Sequence, residues 1–347
     1  MFKWGYYGKL NPRMVKSYEE QISELRAIYP HIELAGVAVW EDGKPADMVF
    51  LYAPALFFAR GLELHGRQLN PKVILSASPL PNAYADIIES GELRLNLGLP
   101  FAFLSMPRTV EYLLNIVSKK RQLNIDELIE MSIPHECVEE LNNVRKSWEI
   151  SAGSDWKTPV LPPSDAMNEK IFMFLYAIAF YHEIGHLQEL YEDKLAWEGM
   201  LLRTKRYFEK MYEENQNAVL SLLGKNVDLL ENKEVFFNWV NEIQADLLAY
   251  TNVAITPKDL KWQQYDHALI SLSFSLFYFI LYCFEIFVQA RWGIDFVTHP
   301  PTEIRKQAFE YALAGEYKLS IAEFKTRKWG ASLMCEYLLK KYISQFG

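Results

Sequence analysis

Ile171-Phe-Met-Phe-Leu-Tyr-Ala-Ile-Ala-Phe-Tyr181 leads directly into His182-Glu183-Ile184-Gly185-His186, and this stretch decides how the chain is read. An uncharged run that is apolar on every side suits a helix threaded through a protein core. Such a helix delivers its last turns to a buried site and holds them rigidly. Residues four apart on a helix share a face, so His182 and His186 can present imidazole nitrogens to one metal ion while Glu183 turns toward a bound water. That spacing is the one used by zinc sites that hydrolyse peptide bonds.

A catalytic zinc ion takes three protein ligands and keeps an open position for water, so the two histidines need a partner from elsewhere. The best candidate is Glu242, which opens Glu242-Ile-Gln-Ala-Asp-Leu-Leu-Ala-Tyr250, itself a helical pattern. Asp246 lies one turn further along the same face. There it can accept a hydrogen bond from the far nitrogen of His182 and fix its tautomer. Ala245 is small enough to let the two helices approach closely. Glu189, Glu192 and Asp193 follow His186 too soon on the same helix to fold back as ligands. His31, His65, His135 and His267 have no ligand-type partner at useful spacing.

Glu242, Ala245 and Asp246 form the E-x-x-A-D version of the gluzincin pattern, and the chain resembles that clan elsewhere too. Pro81-Asn82-Ala83-Tyr84-Ala85, with Glu92-Leu-Arg-Leu-Asn-Leu-Gly98-Leu99, resembles the N-A-F-A … G-L segment of the CAAX prenyl protease and heat-shock membrane protease family. The resemblance implies an edge strand along which substrate lies, with Asn82, Leu93 and Leu95 as substrate-binding residues. An edge strand offers free backbone donors and acceptors to an extended peptide. Thr298-His299-Pro300-Pro301-Thr302-Glu303-Ile304-Arg305 resembles the same family's T-H-P-P-x-x-x-R element. That implies His299 and Arg305 at the cleft, where His299 either donates to a tetrahedral oxyanion or is structural, and Arg305 holds the loop, a substrate carboxylate or a surface salt bridge. The resemblance spans roughly residues 70 to 315. The zinc motif alone is also similar to that of phage-exclusion peptidases of the Lit type, which implies cleavage of translation elongation factor Tu.

The family carries several membrane spans, whereas Met1-Phe-Lys-Trp-Gly-Tyr-Tyr-Gly-Lys-Leu10 has no apolar core of a signal sequence, so a cytoplasmic protein is expected. Ala268 to Phe284 is the one membrane-like segment. Its serines and tyrosines, with Asp266 and Glu285 close by, favour a core helix behind the metal site over a span, which needs about 20 apolar residues. Membrane association stays open as the alternative. Three scattered cysteines, Cys137, Cys283 and Cys335, imply no disulfide framework. A net charge of −8 argues against nucleic acid as a partner.

With 347 residues, half of them hydrophobic, the chain can bury a large core. The expected fold class is α+β but mainly helical, a zincin-like metallopeptidase with a small N-terminal mixed sheet and an active-site helix. Residues 17–29 have helical spacing. Glu33 to Trp40 and Asp47 to Tyr52 read as strands around Asp42-Gly43, a hairpin signal, and Lys72 to Ser76 and Glu92 to Leu97 extend the sheet. Residues 108–148 read as helices broken at Ser132-Ile-Pro134, and Ser151 to Ser164 as a loop. The expected organisation is an N-terminal α+β region, 1–150, and a helical zinc-binding region, 151–347, in one compact unit.

The function expected from these residues is zinc-dependent endopeptidase action on a protein or peptide substrate, with Glu183 as general base. The alternative is a non-proteolytic binding or regulatory protein on a zincin scaffold with a structural metal. Glu183 argues against it, because a structural site has no need of a base.

Overall fold

The computed structural model describes residues 106–118, 134–151, 166–191, 194–259, 267–292 and 296–326, with residues 27 and 102 and the backbone of four short runs. The helices are α1 (Pro107–Ser118), α2 (His135–Ser151), α3 (Ala166–Tyr191), α4 (Lys194–Leu223), α5 (Lys233–Asp259), α6 (His267–Trp292), α7 (Thr302–Glu316) and α8 (Ile321–Thr326). A 3-10 segment, Gly224–Glu231, joins α4 to α5. Gly224 turns the chain there with φ +53°, a conformation that costs glycine little.

The α+β expectation is corrected. Residues described with their side chains are 91% helical and include no strand, so the fold is mainly helical. The four backbone runs are β1 (Ile32–Ala35), β2 (Lys72–Ser76), β3 (Ala83–Asp86) and β4 (Glu92–Asn96), in the order β1-β2-β4-β3. Of these, β3 and β4 lie against α3. The hairpin expected around Asp42-Gly43, with its second strand at 47–52, lies outside the described residues, among which β1 is an edge strand. It pairs in parallel with β2, Ile32 opposite Val73, and parallel neighbours need a long crossover rather than a tight turn. Residues 17–25, 47–52 and 152–164, on which other expectations fell, lie outside the described residues. The break expected at Ser132-Ile-Pro134 falls just before α2.

Helix α3 is the centre of the molecule. Ile171, Leu175, Ala177, Ile178, Phe180, Ile184 and Leu187 are all fully buried, as its uninterrupted apolar sequence requires. Each such aliphatic or aromatic side chain contributes about 1.5–3 kcal/mol on leaving water. Its closest partner is α5. The two backbones approach so nearly that a Cβ on Gly185 would lie 2.9 Å from the Cα of Ala245 and 3.0 Å from its Cβ. Glycine in one helix and alanine in the other bring His182 and Glu242 within reach of the same point.

Two further layers fix α5. Trp197, Leu201, Val240 and Leu248 pack it on α4, where the Thr204 hydroxyl also donates to the side-chain oxygen of Gln244. Phe208, Met211, Trp239, Ile243, Phe296, Ile304 and Ala308 form a second cluster that brings in α7. Helix α6 packs behind α3, α7, α5 and α2. Ile270–Gln289 is long and apolar enough to cross a membrane, and 61% of it is buried within the protein. Trp148 of α2 meets Phe284 and Phe287 of α6 edge-on and tilted, at ring separations of 5.5 and 5.9 Å.

Glu285 lies two turns before the end of α6 and does not simply face water. It instead caps α7. Pro301 precedes that helix and has no side chain to cap it, and Glu285 Oε2 accepts from both the backbone N–H and the hydroxyl of Thr302, each at 2.6 Å. A carboxylate there meets the unsatisfied amides and positive end of the helix. Burial pushes the Glu285 carboxyl up, and the two Thr302 hydrogen bonds act against it.

Candidate metal centre

His182 and His186 stand one turn apart on α3, their rings edge to face with centroids 4.7 Å apart. Their Nε2 atoms converge to 3.1 Å. Glu242 on α5 completes a triangle, with Oε2 3.4 Å from His182 Nε2 and Oε1 3.2 Å from His186 Nε2. Ligand atoms around a tetrahedral zinc with bonds of 2.0–2.1 Å lie about 3.3 Å from one another, so these edges have the size such an ion needs. Glu242 Oε2 is also buried without a well-formed hydrogen bond, although Arg305 Nη1 lies 3.0 Å away. A buried carboxylate oxygen left in that state is costly unless something else meets it. The residues therefore fit a divalent cation.

Behind the triangle lies a second carboxylate. Asp246, fully buried, accepts from His182 Nδ1 at 2.9 Å. That bond places the imidazole proton on Nδ1 and leaves the Nε2 lone pair facing the triangle. Asp246 Oδ1 also accepts from Arg305 Nη2, and Oδ2 from Arg305 Nε, both at 2.7 Å. A second donor to Oδ2 is the hydroxyl of Tyr278 on α6, again at 2.7 Å. The Arg305 guanidinium lies 5.9 Å from the ring of Phe277.

These neighbours set the ionisation of the group. Burial pushes Asp246 up, but the charge and hydrogen bonds of Arg305, with His182, hold it down at about 2. Glu242 is likewise held well below the usual carboxylate range, because His299, His186 and Arg305 outweigh its burial. For His182, burial and Arg305 act downward, yet hydrogen bonds to Asp246 and Glu242 raise it to about 9. Burial raises Glu183, which is 4% exposed. A carboxyl raised toward neutrality is suited to exchange a proton at working pH.

His299 reaches the triangle from the open side. Its Nε2 is 3.4 Å from Glu242 Oε1, and the side chain is 63% exposed. Its Nδ1 is 2.8 Å from the Thr298 hydroxyl. The loop that carries it is tied to α5 itself, since Trp239 Nε1 donates to the Phe296 carbonyl at 2.7 Å and Asn238 Nδ2 to Val297 at 3.4 Å. His299 stands outside the compact ligand set of His182, His186 and Glu242, the only such set among the described residues.

The structure thus brings His182, Glu183, His186, Glu242, Asp246, His299 and Arg305 to one place. Of the alternatives open for Arg305, its surroundings do not favour a surface salt bridge or a substrate carboxylate. Its guanidinium is buried behind the triangle and engaged by Asp246 and Glu242. Asn82 lies outside the described residues, and Leu93 and Leu95 are described only as backbone of β4. Tyr278 and Trp239 were missed. A tyrosine inside an apolar helix was the available signal, because a buried phenol normally finds a partner.

No protein-family model, curated protein or solved structure matches the chain.

Proposed function

We propose that this protein is a zinc-dependent endopeptidase, with His182, His186 and Glu242 as the ligands. The observation that carries the reading is the triangle of ligand atoms, 3.1 to 3.4 Å on a side, next to a buried glutamate on the same helix. Charge supports it. With Glu183, Glu242 and Asp246 ionised, three buried carboxylates face one buried guanidinium, and a dication brings the set to neutrality. Zinc, when bound, supplies Lewis acidity that polarises a peptide carbonyl and makes water a nucleophile near neutral pH.

The chain's own residues supply the rest. Glu183 takes a proton from the attacking water and passes it to the leaving amine as the carbon–nitrogen bond breaks. Asp246 keeps the His182 proton on Nδ1. His299, exposed at the mouth, donates a hydrogen bond to the oxygen that gains charge. The resemblance to the CAAX prenyl protease and heat-shock membrane protease family agrees with this assignment at Glu242, Asp246 and His299. Protein or peptide substrates in the cytoplasm are the natural extension, and a phage-exclusion role of the Lit type is its most specific form.

Replacing Glu183 with Gln tests the mechanism. The variant should keep one zinc per chain, measured by elemental analysis, and lose cleavage of a mixed peptide library. Continued turnover would overturn the proposal.

A further inference from the structure

The Asp246 carboxylate accepts four hydrogen bonds, two at each oxygen, which is all a carboxylate can hold. Three come from groups already tied to the metal centre, His182 Nδ1 and two nitrogens of Arg305. The fourth is the hydroxyl of Tyr278, 3% exposed and 2.7 Å from Oδ2. We infer that Tyr278 is a positioning residue of the metal centre: its hydroxyl fixes the rotation of Asp246 and so keeps His182 Nε2 aimed at the ligand triangle. The inference rests on the zinc reading above and deepens it.

The four donors come from three helices, α3, α6 and α7, around a carboxylate carried by α5. Each restrains the carboxylate from a different direction. Remove one donor in a dry interior and the freed lone pair has no water to turn to, so the carboxylate rotates toward whatever partner remains. His182 Nδ1, at 2.9 Å, is the longest of the four bonds and the first to loosen. The Tyr278 ring is held independently. It packs on Phe277 and Phe309 at centroid separations of 5.4 and 5.7 Å, so a phenylalanine keeps the ring in place and deletes only the hydroxyl.

The protein contains its own control. Tyr311 donates to Glu214 Oε2 at the same 2.7 Å, on a carboxylate that takes no part in the metal centre. Tyr278→Phe should weaken zinc binding about ten-fold in a competitive chelator titration, the lower end of what is lost when a ligand's hydrogen-bond partner goes. Tyr311→Phe, which removes a part-buried hydroxyl that donates to Glu214 and accepts from Asn215, should leave it within two-fold. A merely structural tyrosine would lower stability without separating these two affinities. Zinc release from protein purified in zinc is the second readout, since it does not need a folded metal-free form; it should speed by the same factor in Tyr278→Phe only. Equal affinity and equal release in both variants and the parent would overturn the inference and leave the zinc reading standing. Failure of the parent protein to bind zinc at all would overturn both.

Discussion

Asp246 and Glu198 are both helix carboxylates paired with a cation, and everything else about them differs. Asp246 is fully buried and saturated by four donors from three other helices. Glu198 on α4 is half exposed and lies 3.9 Å from Lys194, one turn away and 88% exposed. Lys205–Glu209 and Lys210–Glu214 repeat that pattern along α4 at 3.7 and 3.9 Å. The surface pairs are interchangeable with water, so each adds little. The buried set is not, and its value lies in completeness: a charge stranded there costs several times what a surface pair contributes.

The largest test of this contrast is Arg305→Met. It strands Asp246 and Glu242 without their cation, and should lower stability by about 3–5 kcal/mol in urea unfolding and abolish zinc binding. A loss below about 1 kcal/mol would place the buried set on the same footing as the surface pairs. The next test is pH, applied to protein kept metal-free with chelator. His182 is raised from 6.5 to about 9 on folding, so its contribution is complete below 6.5 and is lost as pH rises through 9. Asp246 is depressed from 3.8 to about 2, so its contribution is present above 3.8 and is lost as pH falls toward 2. The urea midpoint should therefore fall on both flanks, and zinc should remove the alkaline loss, because a ligated His182 holds no proton at Nε2. A midpoint flat from pH 6.5 to 9 without metal would contradict this account of His182. The smallest effect belongs to the surface. Lys194→Ala should change stability by less than about 0.5 kcal/mol, and a larger shift in thermal unfolding would mean that α4 is held together by its charges.

The cluster of His182, His186 and Glu242 was legible in the sequence because its geometry is local. His182, Glu183 and His186 need only a helix, and Glu242 and Asp246 need only another; the small residues Gly185 and Ala245 then announce where the two touch. The partners of Arg305 were not legible, for the opposite reason. Nothing in its neighbourhood of the chain says that α7 turns this side chain inward, because the carboxylate that receives it lies 59 residues away. Tyr278 has the same difficulty at a separation of 32 residues. The pairing of β1 with β2 was not legible, because a parallel neighbour is reached by a long connection that leaves no mark in a local pattern. Glu285 shows a related limit. Its acidity at the end of an apolar helix was evident, yet its partner is the start of a helix that a proline leaves without a cap of its own.

That cap makes α6 a poor candidate for independent travel. By length and composition it could cross a lipid layer alone, but doing so would carry Glu285 away from Thr302, fray the first turn of α7 immediately before Arg305, and withdraw the Tyr278 hydroxyl from Asp246. The His182, His186 and Glu242 cluster is thus leashed to the address of the most lipid-loving helix. Any transfer of this protein to a membrane that preserves the metal centre must move α3, α5, α6 and α7 as a single body.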